Sequence, residues 1–203
     1  MSRLSWLAQI GLAIAGAGTG LTLLHILRKA TAMSVLDDPY DTTPVDPWAS
    51  AETTQAGQCD PTAKSGVKLF RLWIIGQYGE RAGSPQNILR DCKVGGPSEH
   101  WEGRAWDWMI PDPGVAQEMV DHLTANDCEL FRRAGVMYMI YNRKMMRAYD
   151  RPGAPKGTWQ PYTGPHPHTD HVHLSFSWKG ARGETSLYKE LEKVVGDGSK
   201  PVA

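Results

Sequence analysis

The residues best equipped for chemistry in this chain are its histidines. Four of the seven fall in the run His166 to His173, HPHTDHVH, and a fifth, His100, stands in the stretch SEHWEGRAWD that ends at Asp107. A histidine and an aspartate joined by a short turn at Gly103, plus a histidine on a neighbouring strand, would supply three ligands to a zinc ion. The fourth tetrahedral position would stay open to water. Bound zinc lowers the pKa of such a water to roughly 7 and polarises a carbonyl, so the chemistry implied is hydrolysis. A lone histidine is more often solvated than ligating. It is the combination of His100, Asp107 and His173 that carries the expectation of a metal site.

These side chains need elements to position them. Alternation predicts strands over Ala105 to Ile110, Val136 to Tyr141 and His171 to Trp178. In the third, His171, His173, Ser175 and Ser177 share one face, and Val172, Leu174, Phe176 and Trp178 share the other. The apolar face should pack on helices while the opposite face presents imidazoles. Val67, Phe70, Trp73, Ile74 and Tyr78 have helical spacing within a helix expected over Thr62 to Tyr78, closed by Gly79. Val115 to Ala134 reads as a helix broken near Asn126 and ended by Gly135. Ser186 to Val195 reads as a short amphipathic helix before a polar end.

Four segments follow: an apolar segment over 1–32, a flexible linker over 33–57, the domain over 58–180 and a helix with tail over 181–203. From Leu7 to Leu27, 21 residues carry no formal charge, close to the ~20 that span a bilayer core. An uncleaved membrane anchor is preferred over a signal peptide cleaved near Ala32, because Arg28 and Lys29 sit where a cleavage region should be uncharged. The domain would then be extracytoplasmic or secreted. Lysine plus arginine and aspartate plus glutamate both total 22, so the basic excess of a nucleic-acid binder is missing. Cys59 and Cys92 flank the first expected helix of the domain. They would form a disulfide in an exported protein, the other reading being that all three cysteines are buried thiols.

The ten residues from Ser98 to Asp107 resemble the S-x-H-x-x-G-x-A-x-D signature of D-alanyl-D-alanine metallopeptidases. Those enzymes share a superfamily with lysostaphin-type enzymes and hedgehog domains. The run His168-x-x-His171-x-His173 resembles the pattern of penicillin-insensitive murein endopeptidases. Over Cys59 to Trp178 the chain looks like a domain of actinobacterial secreted proteins and their phages. The resemblance implies an α+β domain whose small antiparallel sheet carries a zinc site and packs on helices. It implies zinc ligands at His100, Asp107 and His173, and a supporting role for Ser98 at the substrate end. In the carboxypeptidase branch the general base is a glutamate, and Asp170 holds that position here. In the endopeptidase branch the first histidine of the H-x-H pair sits beside the zinc water and stabilises the transition state, a place that matches His171 here, with His168 as a further outer histidine. His171 is the better base, because its ordinary pKa lies near neutral and alternation aims it alongside His173. Asp170 then orients an imidazole.

Trp101, Trp159 and Tyr162, expected in loops, are candidates for a groove that binds stem peptide, whereas Trp106 and Trp108 are expected in the core. Arg71, Arg104 and Arg143 are candidate oxyanion donors, with Arg104 discounted because alternation turns it away from Asp107. The function expected is a zinc-dependent peptidoglycan peptidase, either D,D-endopeptidase or D,D-carboxypeptidase. The alternative is a zinc-containing wall-binding or structural component of a phage-tail or envelope assembly, without turnover.

Overall fold

The computed structural model describes residues 43–55 and 57–197. The apolar segment expected to form an anchor or signal, 1–32, lies outside them. Among the described residues no helix is long and apolar enough to cross a membrane.

The architecture is α+β. Five antiparallel strands form one sheet: β1 (Ala105–Met109), β2 (Val136–Tyr141), β3 (Lys144–Arg147), β4 (Trp159–Pro161) and β5 (His171–Phe176). Their spatial order is β1-β5-β2-β3-β4, which places β5 between β1 and β2. All six residues of β5 are buried. Its apolar side chains, Val172, Leu174 and Phe176, pair across strands with partners such as Trp106, Trp108 and Met139. β3 and β4 were not expected. They are short, and their sequences KMMR and WQP carry too few alternations to register as strands. What forms β3 is a tight turn from β2, with Asn142 at φ 44° and Arg143 at φ 64°, the conformation that suits a two-residue hairpin.

Helices cover one face of the sheet. α1 (Ser65–Tyr78) buries Val67, Phe70, Trp73 and Ile74, a stripe at helical spacing. Phe70 meets Trp106 at 6.3 Å and Phe176 at 5.2 Å, so this helix packs on the apolar side of β1 and β5. α2 (Pro113–Arg133) opens on Asp112, whose side chain accepts from the Gly114 and Val115 N–H groups, with proline in the first turn. Asn126, Asp127 and Cys128 have left-handed backbone, which is the break expected near Asn126. α3 (Trp178–Arg182) starts earlier than a strand running to Trp178 allows. Ser177 leaves the sheet and its hydroxyl accepts from the Gly180 N–H at 3.2 Å, capping the helix instead. α4 (Ser186–Asp197) buries Leu187 and Tyr188 in the same core.

Residues 43–55, expected as part of a flexible tether, instead lie along the domain. Trp48 packs against Phe131 at 6.4 Å and under the Arg132 guanidinium at 5.4 Å. The Glu52 carboxylate accepts from the Trp178 N–H at 2.6 Å, and its carbonyl accepts from Arg104 Nη2 at 2.6 Å. The segment is poor in apolar period because it is an extended arm held by polar bonds and one indole, which composition alone does not distinguish from a loop.

Candidate metal centre

The face of β5 turned away from the helices carries the site. Asp107 on β1 is the direct cross-strand partner of His173 on β5, so register alone brings these two side chains together. His100 arrives from a 3-10 turn, Glu99–Glu102, immediately before β1. Ser98 caps that turn by accepting from the His100 N–H at 3.4 Å, and Gly103 closes it with φ 62°. The expected disulfide between Cys59 and Cys92 is present. It joins two segments that hold the turn from either side. The Asp60 N–H donates to the Trp101 carbonyl at 2.9 Å, and the Arg90 N–H donates to the His100 carbonyl at 3.4 Å.

One nitrogen each from His100 and His173 and one oxygen from Asp107 lie within 4.8 Å of one another, a grouping that could hold a metal ion. The side chains are largely buried. His173 Nδ1 lies 2.7 Å from Asp107 Oδ1, and His100 Nε2 lies 3.3 Å from the same oxygen. The Nδ1–H of His100 donates to the Ile88 carbonyl at 3.0 Å, which turns Nε2 toward Asp107. That Nε2 is buried and has no hydrogen-bond partner. Two imidazoles converging on one carboxylate oxygen form a donor set of the kind zinc takes. The three residues therefore fit the group expected of them.

Burial opposes ionisation of Asp107, yet the His100 and His173 imidazoles pressed against it hold its carboxyl far below the usual carboxylate range. Burial pushes the His173 pKa down, toward the neutral form a ligand needs, although Asp107 pulls the other way.

His171 follows on the same strand face, its Nε2 3.9 Å from Asp107 Oδ1. Its Nδ1–H donates to Asp170 Oδ1 at 2.8 Å, so Asp170 orients an imidazole. That hydrogen bond is the main reason the Asp170 pKa is lowered. His168 lies beside both rings, 4.7 Å from His171 and 5.8 Å from His173 between centroids. Burial, more than its histidine neighbours, pushes its pKa down to about 4. Tyr162 meets His168 edge-on at 5.1 Å.

Trp101 does not line a groove. It is buried within the 3-10 turn, and its indole N–H donates to the Val94 carbonyl at 3.3 Å, fastening the disulfide-bearing loop. Trp159 sits on β4 and lines a cavity of about 280 Å³ with Val120, Asp121, Tyr141 and Lys144, at the opposite edge of the sheet from β1. Trp106 and Trp108 are fully buried. Arg104 is buried and committed to Glu102 and to the Phe176 and Glu52 carbonyls. Arg71 pairs with Glu80 at 2.8 Å. Arg143 lies in the exposed β2–β3 turn, whose backbone contacts the histidine loop through its N–H to the Pro167 carbonyl at 2.9 Å.

Sequence reasoning missed three contributors. The Tyr138 ring stacks on His173 at 5.5 Å, and its hydroxyl donates to Glu99 at 2.7 Å. Burial, with Glu99 beside it, raises the Tyr138 pKa well above its ordinary value. Tyr138 sits on a strand that was expected, and its polar tip in an otherwise apolar run was the signal available. The Ile88 carbonyl left none, since it is backbone in a loop. His166 belongs to the same histidine run and approaches His171 at 5.1 Å.

Residues 63–173 match the family model described as VldE, C-terminal domain. No curated protein and no solved structure matches the chain.

Proposed function

The chain belongs to the family of the VldE C-terminal domain, and we propose, from the geometry of its site, that it is a zinc-dependent hydrolase of peptidoglycan stem peptides. The observation that carries the reading is the unpartnered, buried Nε2 of His100 aimed at Asp107 beside His173. His100, Asp107 and His173 would hold the zinc. When bound, zinc supplies Lewis acidity, worth several kcal/mol of stabilisation where charge develops on a carbonyl, and makes a water acidic near neutral pH.

The rest of the work falls to side chains. His171 accepts a proton at Nε2, because Asp170 holds the Nδ1–H and so fixes the ring's tautomer and direction. The short reach from His171 Nε2 to Asp107 puts this nitrogen next to the metal group. Ser98 and Gly103 hold the turn that delivers His100. Tyr138 stacks on the His173 ring and resists its rotation. Tyr162 meets His168 edge-on beside the cluster, and the peptide would lie against this pair. The support for peptidoglycan in particular is the resemblance of Ser98 to Asp107 and of His168 to His173 to wall peptidases. The histidine at position 171 favours the endopeptidase branch over the carboxypeptidase one.

The test is incubation of the purified full chain with peptidoglycan, with and without a chelator, followed by mass analysis of the released fragments. Zinc-dependent loss of cross-linked dimers is the expected result. Loss of single alanines would identify a carboxypeptidase. A zinc-loaded protein that releases nothing would leave the wall-binding or structural role as the better reading. Replacing His171 by alanine should lower turnover about 10²–10⁴-fold while the zinc held by His100, Asp107 and His173 is kept.

A further inference from the structure

We propose that His166, His168 and His171 form a second, weaker transition-metal site beside the first, and that filling it arrests turnover by occupying the nitrogen of His171 that takes the proton. The arrest rests on the function proposed above; the site does not.

One ring nitrogen from each of these histidines lies within 4.8 Å of the others. His168 and His171 are buried, and His166 is exposed. In both buried rings Nδ1 is already engaged. His168 Nδ1 donates to the His166 carbonyl at 2.6 Å, and His171 Nδ1 donates to Asp170 at 2.8 Å. Each bond fixes the tautomer that leaves Nε2 with a free lone pair. An oxygen acceptor behind the ring is the usual partner of a metal-ligating histidine.

The loop that presents the rings is also held in place. His168 adopts φ 51°, and its carbonyl accepts from the Asn142 N–H at 2.7 Å. The Pro167 carbonyl accepts from the Arg143 N–H at 2.9 Å, so the β2–β3 turn clamps this loop from the side. The rings therefore meet without any rearrangement of β5.

Three imidazoles and no carboxylate select zinc, copper(II) or nickel and reject magnesium and calcium, which want oxygen. The site is weaker than the first for two reasons. It lacks an anionic ligand of its own. His166 is also solvated, and its Nδ1 accepts from the His168 N–H at 3.2 Å, a bond that competes with ligation. Proton acceptance and metal binding use the same lone pair on His171, so the two are mutually exclusive.

The experiment titrates the chelator-stripped full chain with zinc by calorimetry and with cobalt(II) by visible absorption. Two equivalents should bind, the second at least ten-fold more weakly. His166→Ala and His166→Gln should abolish the second equivalent and leave the first. Fragment release should fall as zinc exceeds one equivalent, and in each His166 variant, relative to its own low-zinc rate, the inhibition midpoint should move up at least ten-fold. A single equivalent in the unsubstituted protein, or two equivalents unaltered in both variants, would overturn the site. Inhibition by zinc with the same midpoint in both variants would overturn the arrest. Two bound equivalents with no hydrolysis at any zinc level would sink the proposed function and leave the second site standing.

Discussion

Gly103 is the hinge between the two halves of the first metal group, and its replacement by alanine tests how that group is built. Its φ is 62°, and a Cβ there would lie 2.1 Å from the Thr62 carbonyl oxygen and 2.9 Å from the Ala63 Cα. Both atoms are backbone of the segment that enters α1, tied to the turn by the Lys64 N–H to the Gly103 carbonyl at 3.0 Å. Left-handed backbone costs alanine about 1–2 kcal/mol. Forcing packed backbone apart adds about 1–3 kcal/mol, and no side-chain rotamer can relieve it. The sum, about 2–5 kcal/mol, should lower Tm by roughly 4–20 °C in a domain of this size. Gly153 provides the control. Its φ is 71° and nothing lies within 4 Å of its would-be Cβ, so Gly153→Ala bears only the first cost, about 1–2 kcal/mol. Thermal unfolding followed by circular dichroism compares the two. Calorimetric zinc titration should also show Gly103→Ala binding the first equivalent at least ten-fold more weakly, because His100 moves with the turn, while Gly153→Ala binds normally. Equal Tm and equal zinc affinity in the two variants would refute the claim that this contact sets the His100–Asp107 spacing.

Other perturbations follow from the same structure. Cys59→Ser opens a link of sequence separation 33, which in the chain-entropy picture costs about 4 kcal/mol and about 8–15 °C of Tm; an unchanged non-reducing melt would argue that the link contributes nothing to stability. His168 has its folded pKa lowered to about 4, below the unfolded value of 6.5, so the unfolded state binds more protons between these limits. Stability of the metal-free protein should therefore fall as pH drops from 6.5 to about 4, and His168→Gln should flatten that slope in urea titrations at stepped pH. Trp48→Ala removes the indole that packs on Phe131 and under Arg132, costing about 2 kcal/mol. It should also make residues 43–55 readily cleaved in limited proteolysis, and an arm that stays protected would show that its polar bonds suffice.

The grouping of His100, Asp107 and His173 was legible because short-range rules govern it. Strand alternation puts His171 and His173 on one face whatever surrounds them. A turn at Gly103 followed by a strand fixes how far His100 and Asp107 can lie apart. The helical stripe from Val67 to Ile74 and the break near Asn126 were legible for the same reason: both depend on local spacing and local backbone preference. The pairing of Asp107 with His173 across β1 and β5 is different. It depends on register between strands 66 positions apart in the chain, which burial of the opposite, apolar face selects. The tautomer of His100 is set by the Ile88 carbonyl, a group present at every residue and informative at none until the loop is folded. Trp101 was misplaced because a tryptophan in a turn reads as exposed, and only the loop closed by Cys92 buries it. Residues 43–55 were misplaced because an extended arm bonded through backbone and carboxylate leaves no apolar period. The metal group opened on in the sequence thus owes its membership to residue type and spacing. Its buried His100 nitrogen without a hydrogen-bond partner exists only because tertiary contacts fixed which way each imidazole points.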